Sequence, residues 1–461
     1  MPFSTDQLRA AMRALGPASA SALARHLRVS TPTVTAALAR LGDEVLATGR
    51  GRASRYALRR ELGRSGNRWP LFRIAPDGRP ERLGELHALY GDRQCWYLQA
   101  DRPLPLYMHG EFASGYYDDL PWFLMALRPQ GYLGRDFVRQ YGDKISAPQD
   151  LQLWQADDIL LTMLRYGINL SGDLILGEYV LGNTVTVAAF NRISHEERFF
   201  VYPNAAKYAD RHGMAGSSAA GEQPKFISIL AYGNGTLQEV IVKFARIDPD
   251  NAATRRWGNL LVCEEHALHL LAEHGIASAQ TEIVDVDDWR FLQSTRFDRT
   301  PQGGRIGVIA LDALDAAYGG GAGNPWLPAA MELYRQGFID ADDLERVRLL
   351  DAFGRLIGNT DMHGGNLSFF VDLDHQRVRL APVYDMLPMH YRPNESGSVR
   401  DEPFTLLVPD LSHTATWSQA ATLATEFWRR TAGDARIGDN FRTLCRINAE
   451  RIEDWRVRYG L

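Results

Sequence analysis

The chain has 461 residues, 45% of them apolar and 23% charged, too long for one ordinary core, so about two to three domains are expected. No apolar run approaches ~18 residues, the N-terminal MPFSTDQLRAAMRAL reads as an amphipathic helix and not a leader peptide, and no membrane partner is expected. Cys95, Cys263 and Cys445 stand far apart, which argues against a disulfide framework or a zinc-ligand pair and favours a cytoplasmic location.

Charge is unevenly spread. Residues 1–68 hold twelve Arg against four Asp or Glu, about +8, while the remainder carries about −13. This asymmetry points to an anion-binding arm on an acidic body. Within the arm, TDQLRAAMRAL and SASALARHL have helical apolar spacing. In the following TPTVTAALARL, Ser30 or Thr31 can cap a helix with Pro32 in its first turn. Val34, Leu38 and Leu41 would face inward, leaving Thr33, Thr35 and Arg40 outward. EVLATGRGRASRYAL then reads as two strands around a Gly-Arg-Gly-Arg tip. Three helices and a basic hairpin resemble a winged helix-turn-helix, whose third helix would enter the major groove while Arg50, Arg52 and Arg55 meet phosphates. DNA is therefore an expected partner, and since winged-helix proteins often bind paired half-sites as dimers, a homodimer is compatible with the sequence without being specified by it; a module used only for protein contacts is the alternative.

The polar stretch ELGRSGNR (residues 61–68) reads as a linker, followed by short strands of a small α+β segment to about residue 150. A helix over LWQADDILLTMLRYG and a strand-like VTVAAF come next. From residue 216 the chain reads GSSAAGEQPKFISILAYGNGTLQEVIVKFAR: small residues, a strand, a Gly-Asn-Gly turn, and a second strand carrying Lys243. Such a loop lets backbone N–H groups approach phosphate oxygens, with the lysine reaching the phosphates; a solvated strand end is the plain alternative. LLVCEEHALHLLAEHGI reads as a helix offering Glu264 or Glu265 to pair with that lysine. The strand WRFLQSTRFDR would supply backbone for an adenine ring around Thr295 to Phe297.

Phosphoryl transfer needs few side chains: one carboxylate to orient the attacking hydroxyl, and oxygen ligands for magnesium. In GNTDMHGGN, Asp361 can take the first role and Asn366 the second. RVRLAPVYDML brings Asp385 to a strand end, as a second metal ligand. His363 is expected to brace the loop.

SSAAGEQPK, IVKF, RFDR, TDMHGGN and PVYDML occur in the order and spacing of the HipA-like serine/threonine kinases of bacterial toxin–antitoxin modules, over roughly residues 65–440. The fused N-terminal module resembles the HipH/YjjJ-like branch. The resemblance implies an α+β protein: a winged helix-turn-helix (1–62), a small α+β subdomain (63–150), a kinase N-lobe-like region (151–310) and a helical C-lobe (311–461). It implies ATP and Mg2+ as cofactors, Asp361 as catalytic base, Asn366 and Asp385 as magnesium ligands, and Ser218, Gly221, Lys243, Glu264, Thr295 and Phe297 around ATP. Ser218 matches the family's autophosphorylated serine, whose modification ejects the loop and switches the kinase off; adjacent Ser217 is not excluded by spacing. A protein substrate from the translation machinery, such as an aminoacyl-tRNA synthetase, and an antitoxin are the implied partners. The D-x-H-x-G-N order also resembles aminoglycoside and choline phosphotransferases, and a DNA-binding regulator or metal-dependent DNA-cleaving toxin is the third reading.

Overall fold

The computed structural model describes residues 3–91, 95–105, 108, 115–183, 192–211, 223–320, 323, 325–372 and 377–461. Ser217, Ser218, Gly221 and the expected strand VTVAAF lie outside them.

The N-terminal unit is α1 (Thr5–Leu15), α2 (Ala20–Leu27) and α3 (Thr31–Leu41), then a hairpin of β1 (Val45–Thr48) and β2 (Arg55–Leu58). Ser4 and Gln7 close a capping box on α1, and Ser30, not Thr31, caps α3 by accepting from the Thr33 N–H. Leu8, Met12, Leu23, Val34, Leu38 and Leu41 form the unit's own core. Thr33, Thr35, Arg40, Arg50, Arg52 and Arg55 are all exposed.

Residues 61–68 do not behave as a free linker. Leu62 is buried, its N–H donates to the Gly66 carbonyl, and Gly63 and Gly66 adopt positive φ to make that turn. Arg60 forms a two-point ion pair with Asp157 at 2.6 and 2.8 Å, Thr48 hydrogen-bonds the Tyr116 hydroxyl at 2.6 Å, and Leu46 and Ala57 pack on Leu89 and Cys95. The head is thus seated on the next unit.

That unit is an antiparallel sheet of β3 (Arg68–Ile74), β4 (Pro80–Leu89), β5 (Cys95–Ala100), β6 (Tyr116–Tyr117) and β7 (Leu174–Leu176), in the order β6-β5-β4-β3-β7. Helices α4 (Gly131–Ile145) and α5 (Ala156–Tyr166) accompany it. The boundary expected at residue 150 therefore falls inside the unit, because α5 and β7 lie beyond it and β7 completes the sheet against β3. The signal was non-local: a three-residue strand has no periodicity of its own.

A second five-stranded sheet runs β11-β12-β10-β9-β8: β8 (Arg192–Ser194), β9 (Lys225–Ala231), β10 (Leu237–Arg246), β11 (Thr281–Val286) and β12 (Trp289–Thr295). Strand alternation divides β10. Val240, Val242 and Phe244 pack under α6 (Arg198–Arg211), while Ala245 joins Leu261 of α7 (Ala252–Glu273) on the other face. Helix α7 starts earlier than its apolar spacing suggests. Asn251 caps it, and Arg256 in its first turns is buried against Phe441, donating to the carbonyls of Tyr391 and Arg400.

The remainder is β13 (Gly307–Ala310), α8 (Trp326–Arg335), α9 (Ala341–Leu356), β14 (Ser368–Val371), β15 (Arg379–Leu380), α10 (Thr414–Gly433) and α11 (Asp439–Tyr459). β13 pairs with β14, so the boundary expected at 310/311 also shifts, towards residue 300. One apolar cluster runs from Leu62 through the middle sheet to Trp455. Among the described residues no helix is long and apolar enough to cross a membrane.

His87, on β4, is 1% exposed, and neither ring nitrogen makes a well-formed hydrogen bond among the described residues, the Glu85 carboxylate lying 3.4 Å from Nε2. Burial, with help from Arg59 and Arg68, pushes its pKa down to about 4. The unfolded chain would therefore bind one more proton than the native one between pH 6.5 and 4. Stability is intact above that window and is lost as pH falls through it, by roughly 2–3 kcal/mol at pH 4.5. Urea unfolding at pH 7 and 4.5 should show His87→Gln losing less stability on acidification by that amount.

Candidate active site

Lys243 is 6% exposed and lies on the face of β10 that looks toward α7. Its ammonium donates to both oxygens of Glu264, at 2.6 and 2.7 Å, and pairs with Asp385. Burial alone works against the lysine charge. The carboxylates of Asp385 and Glu264 outweigh it and hold the pKa above the ordinary lysine value. Burial likewise raises Glu264, whereas for Asp385 it is overcome by Lys243 and Lys225, leaving that carboxylate ionised well below its usual range. Glu265 points elsewhere: it accepts from the Ile283 N–H at 2.8 Å and pairs with Arg436.

Asp385 sits in a loop, not at a strand end as expected, because β15 stops at Leu380. Its φ of +53° is a left-handed conformation that aspartate tolerates better than most residues. Neighbouring Tyr384 fixes the loop: its hydroxyl hydrogen-bonds Ser368 and donates to the Gly365 carbonyl, each at 2.7 Å.

The loop from Gly358 to Asn366 folds on itself. The Asp361 N–H donates to Asn359 Oδ1 at 3.0 Å, and the Asp361 carbonyl accepts from the His363 N–H and from Asn366 Nδ2 at 2.8 Å. Its amide nitrogen is so held, and the Asn366 oxygen accepts no hydrogen bond among the described residues. The Asp361 carboxylate makes no hydrogen bond among the described residues. His363 braces the loop: its Nδ1 accepts from the Gly365 N–H, and its carbonyl accepts from Trp326 Nε1 at 2.7 Å. A Cβ on Gly364 would come within 2.8 Å of the Asp312 nitrogen, so close backbone approach dictates glycine there.

Asn359 was passed over in the sequence. It is buried, holds the Asp361 backbone through Oδ1, and its Nδ2 lies 3.5 Å from the Asp385 carbonyl, so one amide spans both acidic loops. Lys225 was missed too. It stands opposite Lys243 in the β9–β10 register, where paired residues share a face, and its charge reaches Glu264 and Asp385. The hairpin register was the signal that could have found it.

At the end of β12, Thr295 Oγ1 accepts from Gln238 at 2.7 Å, and the Thr295 and Arg296 N–H groups are taken by the carbonyls of Gln280 and Glu239. The Phe297 N–H has no backbone partner among the described residues; its ring packs 5.8–5.9 Å from Tyr384 and Phe370.

Lys243, Glu264 and Asp385 thus meet at one point with Lys225 in electrostatic reach, and the Asn359 amide and Tyr384 hydroxyl tie the Asp385 loop to the loop that carries Asp361 and Asn366. No group of three or more His, Cys, Asp or Glu is close enough to hold a metal by itself among the described residues. Asn366 and Asp385 offer hard oxygen donors of the kind magnesium takes when it keeps waters and phosphate oxygens in the rest of its shell, so the residues fit that ion. A cavity of about 500 Å3 lined by Trp69, Leu164, Tyr166 and Tyr179 shares no residue with this cluster.

Residues 65–185 match the family model described as the YjjJ-like toxin, middle domain, and residues 217–452 the HipA-like C-terminal domain. The chain is 33% identical over 438 residues to Toxin YjjJ of Escherichia coli K12, covering 95% of both. Among solved structures, HipA from the Shewanella oneidensis complex of HipA, HipB and operator DNA aligns with a TM-score of 0.50 at 15% identity, over 84% of this chain and 99% of that one, a likeness of fold. The Helicobacter pylori proinflammatory kinase CtkA aligns more loosely, with a TM-score of 0.35 at 13% identity over 50% of this chain and 90% of that one. Two family models in tandem and a full-length relative place the chain: it belongs to the HipA-like toxin family, in its YjjJ-like branch.

Proposed function

We propose that this protein is an ATP-dependent serine/threonine protein kinase that binds DNA through an N-terminal winged helix and restrains growth as a toxin. The observation that carries the enzymatic reading is the buried Lys243 ammonium gripped by Glu264 and shared with Asp385. Kinases require that pairing of a strand lysine with a helix glutamate, and a metal-binding aspartate beside it.

Bound Mg-ATP would supply the transferable phosphoryl group and the metal charge that neutralises it. Asp361, whose carboxylate makes no hydrogen bond among the described residues, would accept the proton of the attacking serine or threonine hydroxyl. Asn366 and Asp385 would hold the metal, Lys243 and Lys225 would face the phosphates, and the backbone from Thr295 to Phe297 would meet adenine. Ser218, outside the described residues together with Gly221, is the proposed autophosphorylation site, and Ser217 is its rival.

The N-terminal reading rests on the exposed α3 face (Thr33, Thr35, Arg40) and the hairpin arginines Arg50, Arg52 and Arg55. The solved HipA relative was captured with HipB and operator DNA, which supports DNA and an antitoxin as partners here. A translation component remains the proposed protein substrate.

Intact-mass analysis after incubation with Mg-ATP should show one added phosphoryl group, mapped to Ser218 or Ser217. Asp361→Asn should slow labelling by about 100- to 10,000-fold and relieve growth arrest on expression. ATP turnover with an aminoglycoside or choline, and none with protein, would reject the protein-kinase reading.

Replacing Arg50, Arg52 and Arg55 with Ala should weaken binding to specific and random duplexes alike. If each meets one phosphate, the slope of log K against log salt should become shallower by about 2.7. An unchanged slope removes the DNA assignment.

A further inference from the structure

The strand end that would meet adenine is gripped from behind by a buried charge cluster. Arg296, Asp298, Arg299 and Arg305 are each less than a tenth exposed. Asp298 accepts from Arg296 at 2.7 and 2.9 Å, from Arg299 at 2.8 Å and from the Gly172 N–H at 2.9 Å. Glu239 lies 3.2 Å from Arg299 and 3.6 Å from Arg296. Three guanidinium groups face two carboxylates there, and Asp173 nearby is raised by burial to about 6 and adds little negative charge at lower pH.

The surplus donors are satisfied by main-chain carbonyls of one short segment. Arg299 donates to Leu170 at 2.7 Å and Gly172 at 3.0 Å, Arg305 to Ile168 at 2.7 Å, and Arg296 to Asn169 and Leu170 at 3.4 and 3.3 Å. Residues 168–172 connect α5 to β7 in the middle sheet, outside both the catalytic loop and the β9–β10 hairpin. Phe297 lies between the two members of the Arg296–Asp298 pair, so the clamp closes directly around the residue whose N–H is open, while its ring rests on Tyr384 beside Asp385.

We propose that the middle sheet sets the purine edge of the nucleotide site, with Arg299, Asp298 and Arg296 as positioning residues that hold the Phe297 amide where an adenine ring nitrogen can accept from it. This rests on the kinase reading and adds a role for the segment 168–172. Nucleobase affinity then depends on a clamp that leaves the phosphate end of the site untouched.

The test uses the full chain and its Arg299→Lys variant, which keeps the charge but loses the two-pronged donation to Leu170 and Gly172. A ribose-labelled fluorescent ATP reports binding, inorganic tripolyphosphate competes for the phosphate end alone, and the half-saturating ATP concentration (KM) and limiting rate (kcat) are taken from the single-turnover rate of autophosphorylation. The expected result is a roughly tenfold rise in Kd and KM for ATP, the scale of one well-placed hydrogen bond. The tripolyphosphate affinity should be unchanged and kcat within about twofold. Unchanged ATP affinity, or ATP and tripolyphosphate weakening together, would overturn the proposal, the second showing a general loss of structure. Should Arg299→Lys fail to fold, Arg305→Lys loosens the same segment through Ile168 and carries the same readouts. A wild-type chain that binds tripolyphosphate but not ATP overturns the proposal alone; one that binds neither overturns the kinase reading beneath it.

Discussion

A lysine ammonium almost fully withdrawn from water cannot stand by itself, and the arrangement around Lys243 is the solution on which the rest of the molecule depends. The charge must be matched within reach of its three protons, so β10, α7 and the Asp385 loop have to meet at one point. Glu264 would suffice for neutrality. Adding Asp385 leaves that trio net negative, and such a trio favours a further cation. The left-handed backbone at Asp385, the Tyr384 hydroxyl bonded to Gly365 and the Asn359 amide across both loops all serve to keep that third element in place.

What the sequence disclosed follows physical range. The Asp361–Asn366 loop is local: its glycines and its histidine brace were legible in one short stretch, whereas the bond from the Asn366 amide to the Asp361 carbonyl needed the folded loop to show it. Lys243 was visible because a strand period puts it on a definite face. The choice between Glu264 and Glu265 was closer, since adjacent helix residues differ by about 100° in direction, and only the packed helix shows which one meets the lysine. Lys225 went unseen because its role emerges only when the register is counted back across the Gly-Asn-Gly turn, and Asn359 because a loop-to-loop bond leaves no mark in spacing.

The misplaced boundaries have the same origin. The fifth strand of the middle sheet is too short to announce itself, and it exists because Leu174–Leu176 finds β3, about a hundred residues earlier in the chain, ready to pair. The first turns of α7 read as polar because Arg255 and Arg256 interrupt the apolar spacing; in place, Arg256 is buried by stacking on Phe441 and by carbonyls contributed from the C-terminal part. Polar residues that tertiary contacts satisfy are invisible to periodicity.

The seam between head and body carries a further meaning. With Leu62 buried, Arg60 locked to Asp157 and Thr48 bonded to Tyr116, the seam is pinned at three places. On the proposed reading of α3 as the DNA-facing helix, a duplex lying along it would meet the remainder of the molecule at one fixed attitude. Two copies on that proposed duplex could then occupy neighbouring turns only at separations that the bulk of their bodies permits.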